Sequence, residues 1–284
     1  MNDTADTKQN TPSVSLGEAL YAAEQRRERV FRIHVGVSWL VMFALLMFLF
    51  SGQTLTLGSL EFNTIRLDFD FIQRNLAFVA GGMGQTILIS VLSILLATLL
   101  ALVAALGRLS RFPPFYAIST FYVSLIRGTP LYLQIFFFFL ALPQLGIILP
   151  GFIAGVVALG LNYGAYMSEI FRAGIGSVGK GQREAALALG MTPVQVMRRI
   201  VIPQALRFAI PPMGNEFIAM TKDSALVSAT GFVHELMWRA TKVGRANFKN
   251  LEALIMAAVF YWLMTMILSY IQGKIEARMA KGDR

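Results

Sequence analysis

Three polar side chains share one face of an otherwise apolar segment and are well suited to bind a polar solute. The segment, residues 151–175, consists mainly of aliphatic and small residues. Because an α-helix turns by about 100° per residue, Asn162, Tyr166 and Glu169 fall within about 60° of one another around its axis. Together they could bind an ammonium or guanidinium group through hydrogen bonds and opposite charge.

Glu169 has two interpretations on the sequence. A carboxylate inside an apolar segment is costly unless it is paired or hydrated, which makes it a functional candidate. It could instead form an ion pair with Arg172, three residues further along the same helix and near the end of the segment. The sequence leaves both open.

A second polar feature is the run from Arg127 to Pro130, which interrupts the apolar residues 115–142. Proline lacks a backbone N–H and disfavours helix at the preceding residue, so we expect two half-helices or one kinked helix. Within a bilayer such a break is tolerated only where protein or a wet cavity satisfies the freed groups. Arg127 therefore either lines a cavity or lies near a helix end and reaches lipid phosphates.

Composition places these features in a membrane protein. The 284 residues are 56% hydrophobic and 14% charged, with a mean hydropathy of +0.60, values typical of polytopic membrane proteins. The net charge of +9 comes from short clusters beside apolar runs, as the positive-inside rule expects, and not from a basic stripe that would bind nucleic acid. The absence of cysteine excludes disulfides and thiolate metal sites.

Apolar runs and basic clusters together predict an all-α integral membrane protein of about six transmembrane helices, with both termini cytoplasmic. One segment, 222–250, carries more positive charge than an external loop usually does. The expected spans are residues 33–50, 84–106, 115–142, 151–175, 204–221 and 251–272.

The remaining boundaries follow from these spans. Residues 1–32 and 274–284 are polar and basic, so we expect cytoplasmic tails, the first of them disordered. Residues 33–52 form an additional N-terminal transmembrane helix, and residues 53–83 form an external linker. The main membrane domain is expected at residues 84–273.

A polar and basic island, residues 177–212, separates two apolar segments within that domain. We expect two short helices around Gly190, which can end a helix in the left-handed conformation. Thr192, Pro193 and Gln195 match a capping box with proline at the first helical position. Pro203 should interrupt the second helix before the chain re-enters an apolar run. The island could dock on a partner or lie on the membrane surface as an amphipathic helix.

The island also resembles a known motif, the EAA loop of binding-protein-dependent ABC transporter permeases. Glu184-Ala185-Ala186, Gly190 and Ile202-Pro203 match its spacing, with Ile202 where the family usually has leucine. In that family the loop is the cytoplasmic coupling helix that docks on the ATPase subunit. The resemblance implies an ATPase-coupling loop at residues 177–203, carried by Gly181, Glu184, Ala185, Ala186, Gly190 and Pro203.

From about Gly84 onward, the chain resembles the polar amino acid uptake branch of this family, whose core has five helices. Ser224-Ala225 replaces the Thr-Ser that usually follows Lys-Asp, and many members lack the additional N-terminal span. The stretches that carry the resemblance are Ser124–Leu131 with Gln134, Asn162–Tyr166, Glu169–Gly174, Lys180–Gln182, Pro203–Arg207, Pro211-Pro212, Gly214–Phe217 and Lys222–Leu226.

The resemblance implies the permease subunit of an ATP-driven importer of polar amino acids in the cell inner (plasma) membrane. Its partners would be a second permease copy or paralogue, two cytoplasmic ABC ATPases and a periplasmic or extracellular solute-binding protein. We expect no catalytic residue, metal or cofactor on this chain, because no phosphate-binding glycine loop occurs and ATP with magnesium would bind the ATPase. The substrate-path candidates are Arg127, Asn162, Tyr166, Glu169, Asn215, Glu216, Lys222 and Asp223.

Two other classes of protein fit less well. A secondary transporter or channel would need an inverted repeat or several intramembrane ionisable residues, and only Arg127 and Glu169 suggest one. An intramembrane enzyme would need a carboxylate pair or metal-ligand cluster, yet His34 and His234, the two histidines, stand apart from any such group.

Overall fold

The structure is a computed structural model that describes residues 16–57 and 60–280. The chain divides into two compact units, Met1–Asp68 and Phe69–Arg284. Residues 1–15 of the expected N-terminal tail and 281–284 of the expected C-terminal tail lie outside the described residues.

The first unit contains one long helix, α1, at Leu16–Leu49. Its portion Ala23–Leu49 is long and apolar enough to cross a membrane. Residues 16–32, expected as disordered tail, are helical. The physical reason is that this portion lacks proline, is rich in the good helix formers Ala, Glu and Arg, and gains an exposed ion pair between Glu28 and Arg32 at 3.1 Å, so the helix continues beyond the apolar part.

A small antiparallel hairpin follows α1 in the first unit. Strands β1, Thr54–Leu57, and β2, Leu60–Asn63, pair with Thr54 opposite Asn63. Alternating Thr and Leu in β1 favour a strand. The hairpin is a local exception to the predicted all-α class, and it occupies part of the expected linker 53–83.

Among the described residues of the second unit, all regular secondary structure is helical. Short π-turns and 3₁₀ turns at 137–145, 197–201 and 224–230 join some of them. The helices are α2 Phe69–Ala80, α3 Met83–Leu109, α4 Pro113–Arg127, α5 Leu131–Phe136, α6 Gly151–Ser177, α7 Lys180–Ala188, α8 Pro193–Val196, α9 Ile202–Asp223, α10 Leu236–Asn247 and α11 Asn250–Ala280.

Small residues bring α3 and α6 together at the centre of this unit. Ala97 and Ala101 on α3 are fully buried. On α6, a side chain added at Gly160 would meet Leu96 at 2.6 Å, and one at Gly164 would approach the Ala97 carbonyl oxygen at 3.3 Å. Small residues allow this close packing of apolar helices, and the closely packed pair carries the polar stripe of α6.

The predicted interruption after Arg127 is a sharp bend. Helix α4 and the helical stretch that begins with α5 meet at 106°, so the region forms two half-helices and not one gently kinked helix. Gly128, Thr129 and Pro130 make the turn, as expected from proline chemistry.

Four helical stretches among the described residues are long and apolar enough to cross a membrane, or five if the bent pair counts as one crossing. Helix α9, expected as a span at 204–221, is not among them because it carries Arg207, Glu216, Lys222 and Asp223. Pro211 and Pro212 both lie inside this one continuous helix, although proline normally disrupts helical hydrogen bonding.

Candidate functional site

A pocket opens where the bend between α4 and α5 meets α6 and the end of α9. Its volume is about 410 Å³. Four of the predicted substrate-path residues, Asn162, Tyr166, Glu216 and Asp223, contribute to it. The complete lining is Thr129, Pro130, Leu131, Asn162, Tyr163, Tyr166, Glu216 and Asp223.

Two carboxylates on α9 make the pocket acidic. Glu216 and Asp223 are two helical turns apart and therefore lie on the same face. The Tyr163 hydroxyl donates a hydrogen bond of 2.7 Å to the Asp223 carboxylate. Within the described part of the chain, neither carboxylate forms an ion pair with lysine or arginine. Both can therefore bind a positively charged group.

The Gln134 side chain holds the bend beside the pocket. Its amide nitrogen lies 2.8 Å from the Ile126 carbonyl oxygen, 3.2 Å from the Thr129 carbonyl oxygen and 2.9 Å from the Thr129 hydroxyl. Its amide oxygen accepts a hydrogen bond of 3.1 Å from Asn162. Gln134 thus satisfies carbonyl groups at the end of α4 and links the bend to α6.

A cationic cluster lies next to the pocket along α6. Glu169 pairs with Arg172 at 2.8 Å, with Arg108 of α3 at 2.5 Å and with Arg127 of α4 at 3.3 Å. The guanidinium of Arg127 also lies over the Tyr166 ring, 5.1 Å from its centre. One carboxylate among three guanidinium groups leaves a net positive charge, so the Glu169 carboxylate is already neutralised within the protein.

The segment between α6 and α9, residues 178–201, contains α7 and α8 and packs around a small core of its own. It is called the α7–α8 segment. Helix α7 ends before Gly190, whose φ of +81° is the left-handed conformation expected there. Thr192 caps α8: its hydroxyl accepts from the Gln195 N–H at 3.3 Å, and the Gln195 side chain accepts from the Thr192 N–H at 2.8 Å. The predicted capping box is therefore present.

Two faces of this segment differ in exposure. Ala186, Val196 and Val201 are buried and form a small core with the ends of α6 and α9. The opposite face is open: Leu189 is 84% and Val194 is 75% exposed. A segment with its own small core and an exposed apolar surface is suited to bind another protein.

Comparison with known proteins connects this segment to a family. The profile of the family described as "Binding-protein-dependent transport system inner membrane component" matches residues 97–281. The chain belongs to this family. It is a multi-pass membrane protein, as the family description and the apolar helices of the structure both indicate.

Individual relatives are permeases. The chain is 40% identical over 220 residues to the arginine transport system permease protein ArtQ of Bacillus subtilis, covering 77% of this chain and all of the relative. It is 39% identical over 235 residues to the L-cystine transport system permease protein TcyB of the same species, covering 82% of this chain and 97% of the relative.

Solved structures show the same fold. The structure of "an amino acid ABC transporter with histidines" matches with a TM-score of 0.71 and 37% identity, over 75% of this chain and all of that chain. An inward-facing MetNI methionine ABC transporter matches with a TM-score of 0.57 over 74% of this chain and 97% of that chain. At 16% identity this second match shows the fold alone.

The other predicted substrate-path residues of this permease lie outside the pocket lining. Arg127 and Glu169 belong to the cationic cluster, with Arg127 reaching the pocket through Tyr166. Asn215 is turned towards α11, where its side-chain oxygen lies 3.1 Å from the Gln272 amide nitrogen. Lys222 is exposed. Glu169 forms the ion pair with Arg172 that was one of its two interpretations on the sequence, and the two arginines from other helices were not foreseen.

Among the predicted coupling residues, Ala186 differs from its neighbours in burial, and Pro203 does not break the helix as expected. Gly181, Glu184 and Ala185 are exposed, whereas Ala186 is buried within the chain. Pro203 does not interrupt the helix: a π-turn at Met197–Val201 widens the backbone just before it, and α9 continues. Such a turn absorbs the register change that a missing N–H imposes.

Sequence reasoning missed the roles of Gln134, Tyr163, Thr129 and Arg108. Gln134 appeared only as part of the family resemblance. The signal that could have identified it is the bend itself, because carbonyl groups freed inside a bilayer need a donor and Gln134 is the amide that follows within one helical turn of Leu131.

A buried carboxylate joins three helices on another side of the unit. Glu235 caps α10, accepting from the N–H groups of Met237 at 2.8 Å and Trp238 at 2.6 Å. Tyr261 of α11 donates to it at 2.7 Å, and Thr86 of α3 lies at 3.5 Å. Burial raises the pKa of Glu235, and the hydrogen bonds oppose that shift. In the described residues, no cluster of His, Cys, Asp and Glu could hold a metal ion.

Proposed function

We propose that this chain is the membrane-spanning subunit of an ATP-driven amino acid importer. The observation that carries the proposal is the α7–α8 segment, which has the EAA spacing, its own small core and an exposed apolar face. The relatives named for arginine and cystine transport support an amino acid as the substrate. The chain itself catalyses no reaction.

The complete transporter contains further chains. A second permease, identical or paralogous, completes the membrane domain, and two cytoplasmic ATPases bind ATP and magnesium. A periplasmic or extracellular solute-binding protein delivers the substrate. The absence of a GxxxxGK[ST] loop from the sequence supports the assignment of ATP to other chains.

The proposed topology has six spans in the inner (plasma) membrane and both termini in the cytoplasm. The basic clusters near both ends support this orientation. Helix α9 is the span with the least apolar sequence, and Glu216 and Asp223 on it line the pocket. Polar side chains are tolerated in a span where they face a cavity. Helix α1 is an additional span outside the residues that match the family.

Coupling runs through the core of the α7–α8 segment. The exposed face with Glu184, Leu189 and Val194 docks on an ATPase subunit. Since Ala186 and Val201 pack with the ends of α6 and α9, a displacement of the docked face moves both helices together. These helices carry the pocket walls, so ATP-driven closure of the ATPases changes which side of the membrane the pocket faces.

The pocket holds the substrate during transport. Glu216 and Asp223 bind a cationic group of the amino acid, because each lacks an arginine or lysine partner in the described residues. Glu169, the carboxylate favoured on sequence grounds, is less suited because three guanidinium groups already surround it.

Co-expression and reconstitution test this proposal. When it is co-expressed with its ATPase and binding protein, the wild-type chain should retain the ATPase on purification and support ATP-dependent amino acid accumulation in vesicles. Glu184→Lys should lose the ATPase, whereas Glu61→Lys, an exposed carboxylate in the first unit, should retain it. Full accumulation by the chain without any ATPase would contradict the proposal and indicate a secondary transporter.

A further inference from the structure

Helix α1, Leu16–Leu49, is longer than the hydrocarbon core of a bilayer. Its 34 residues extend over about 51 Å at about 1.5 Å per residue, whereas the core is about 30 Å thick. The largely apolar part of the helix, residues 33–49, extends over about 26 Å and fills most of that thickness. The residues of α1 that precede it therefore lie at the level of the lipid headgroups or beyond.

Four arginines occupy this level of α1. Arg26, Arg27, Arg29 and Arg32 lie within the two helical turns before Ile33, and all four are exposed. Arg26, the most distant of them, is about 10 Å from Ile33 along the helix axis. Because the helix turns by about 100° per residue, Arg26, Arg29 and Arg32 fall within about 120° of one another. Three guanidinium groups thus share one side of the helix at headgroup depth.

The positive charge of these arginines is largely uncompensated. Among the described residues, Arg32 pairs with the exposed Glu28 at 3.1 Å, and the other three form no ion pair. Residues 24–32 hold four arginines and two glutamates, which leaves a net charge of 4 − 2 = +2. Arg29 and Arg32 also line a shallow surface recess of about 240 Å³ with Gln25 and Glu28. An anionic group at this surface can therefore approach more than one guanidinium.

We infer that Arg26, Arg27, Arg29 and Arg32, the arginine band, bind the phosphate groups of anionic phospholipids. A guanidinium presents a planar fork of N–H donors that matches a phosphate. Lipid is the favoured partner because the band lies at headgroup depth on a helix long and apolar enough to cross the membrane.

Lipid selection is a property beyond the orienting of a span. The positive-inside rule requires positive charge during insertion and no preference for one lipid afterwards, whereas the arginine band should concentrate anionic lipid around α1. The inference goes beyond the proposed function and does not depend on it, because the band lies outside residues 97–281, which match the permease family.

Trp39 can report which lipid surrounds α1 near the arginine band. Its side chain is 54% exposed and follows Arg32 by about 10 Å along the helix. Bromine atoms in lipid acyl chains quench tryptophan fluorescence at short range. The full chain is reconstituted in nanodiscs of equal parts phosphatidylglycerol and phosphatidylcholine, with one of the two lipids brominated. Subtraction of the signal of the matching Trp39→Phe chain separates Trp39 from Trp238 and Trp262.

Phosphatidylglycerol should be enriched around the wild-type helix. Quenching by its brominated form should exceed quenching by brominated phosphatidylcholine by about twofold, because interfacial arginines attract anionic headgroups. Added sodium chloride should lower this ratio, since exposed charges are screened by salt.

Substitutions separate the arginine band from net charge. Combined Arg26→Gln, Arg27→Gln and Arg29→Gln, which keeps the Glu28–Arg32 pair, should bring the quenching ratio to about one. The corresponding three lysine substitutions keep the charge and should keep the ratio above one. The matched control removes the same charge from exposed arginines of the second unit and should keep the wild-type ratio; it combines Arg198→Gln, Arg199→Gln and Arg245→Gln.

The outcomes bear on the lipid site and leave importer function untouched. A ratio of one in the wild type, or an unchanged ratio in the glutamine chain, would overturn the inference. Loss of the wild-type enrichment in inorganic phosphate, compared with sodium chloride of equal ionic strength, would assign the arginine band to free phosphate and overturn lipid binding. If the glutamine chain does not reconstitute, Arg29→Gln should lower the ratio and Arg29→Lys should keep it, and equal ratios would overturn the inference.

Discussion

Glu169 is surrounded by guanidinium groups from three helices, and this determines what its carboxylate can do. Arg108 lies at the end of α3, Arg127 at the end of α4 and Arg172 one turn further along α6. The Glu169 side chain retains 26% exposure, so the pairs are partly screened by solvent. We therefore expect its main role to be structural, because it holds together guanidinium groups of three helices that would otherwise repel one another.

Replacement of this carboxylate should lower stability more than substrate affinity. We expect Glu169→Gln to reduce the free energy of unfolding by about 1–3 kcal/mol, because three cationic groups lose the negative charge that they share. Thermal unfolding in detergent, followed by tryptophan fluorescence, measures this effect. Arginine affinity should stay near the wild-type value.

The exposed pair of Glu28 and Arg32 provides the control for that experiment. Its side chains are 64% and 79% exposed, so Glu28→Gln should leave the unfolding temperature almost unchanged. An unchanged unfolding temperature in Glu169→Gln, accompanied by weakened arginine binding, would show that Glu169 contacts the substrate.

At the scale of elements, two neighbouring alanines mark the buried and the exposed side of the α7–α8 segment. Ala186 is 5% exposed and packs in the core with Val196, whereas Ala185 is exposed. We therefore predict different purposes for the neighbouring alanines: Ala186 stabilises the segment, and Ala185 leaves room for the proposed ATPase partner.

Enlarging each alanine should separate these purposes. Ala186→Leu should overpack the small core and cost about 1–3 kcal/mol of stability. Ala185→Leu should leave the unfolding temperature unchanged and reduce co-purification of the ATPase. Thermal unfolding of each variant and the ratio of ATPase to permease on purification measure the two effects. Equal unfolding temperatures for both variants would contradict the assignment of Ala186 to the core.

Helix α10 depends on a single capping carboxylate. Glu235→Ala should remove the N-cap, at a cost of about 1–2 kcal/mol, and leave the buried Tyr261 and Thr86 hydroxyls without this acceptor. Arg245→Ala, an exposed substitution on the same helix, should have little effect on the unfolding temperature. A drop of equal size in both variants would argue against the cap.

The loss of stability caused by Glu235→Ala should depend on pH in a defined direction. Burial raises the pKa of this carboxyl above its usual value of 4.5, so the folded protein favours the protonated form. The stabilisation that this carboxyl gives to the wild type is therefore lost as the pH rises through its raised pKa. The stability gap between the wild type and Glu235→Ala should narrow as the pH increases, which unfolding measurements at several pH values would show.

At the scale of the whole molecule, the two units differ in their relation to the family. The family match begins at residue 97, and the pocket, the cationic cluster and the α7–α8 segment all lie in the second unit, Phe69–Arg284. The first unit contributes α1 and the hairpin, and none of its described residues lines the pocket.

Removal of the first unit should therefore leave ATPase docking and substrate binding intact. We expect a chain lacking residues 1–68 to insert, to retain the ATPase and to bind arginine with unchanged affinity. Membrane fractionation, co-purification and binding assays measure these properties in turn. Loss of arginine binding in a truncated chain that still retains the ATPase would assign a role in the substrate path to the first unit.

The sequence by itself determined the features that depend on neighbouring residues. The bend after Arg127, the left-handed Gly190 and the Thr192 capping box follow from proline chemistry, glycine conformation and local hydrogen bonding. Long apolar stretches likewise predicted the membrane class, and the spacing around Glu184 predicted the family. The local features among them form regardless of tertiary packing, because the interactions that produce them lie within one or two helical turns.

Only the tertiary structure decided which polar side chains meet. Gln134 and Asn162 are 28 positions apart, and Arg108 and Glu169 are 61 apart, so helical periodicity cannot relate them. The packing of α3 on α6 and the direction of the bend bring one pair to the pocket and the other to the cationic cluster. The physical reason is that the free energy of a buried charge or amide depends on its partners across helices, and those partners are fixed by packing and not by spacing along the chain.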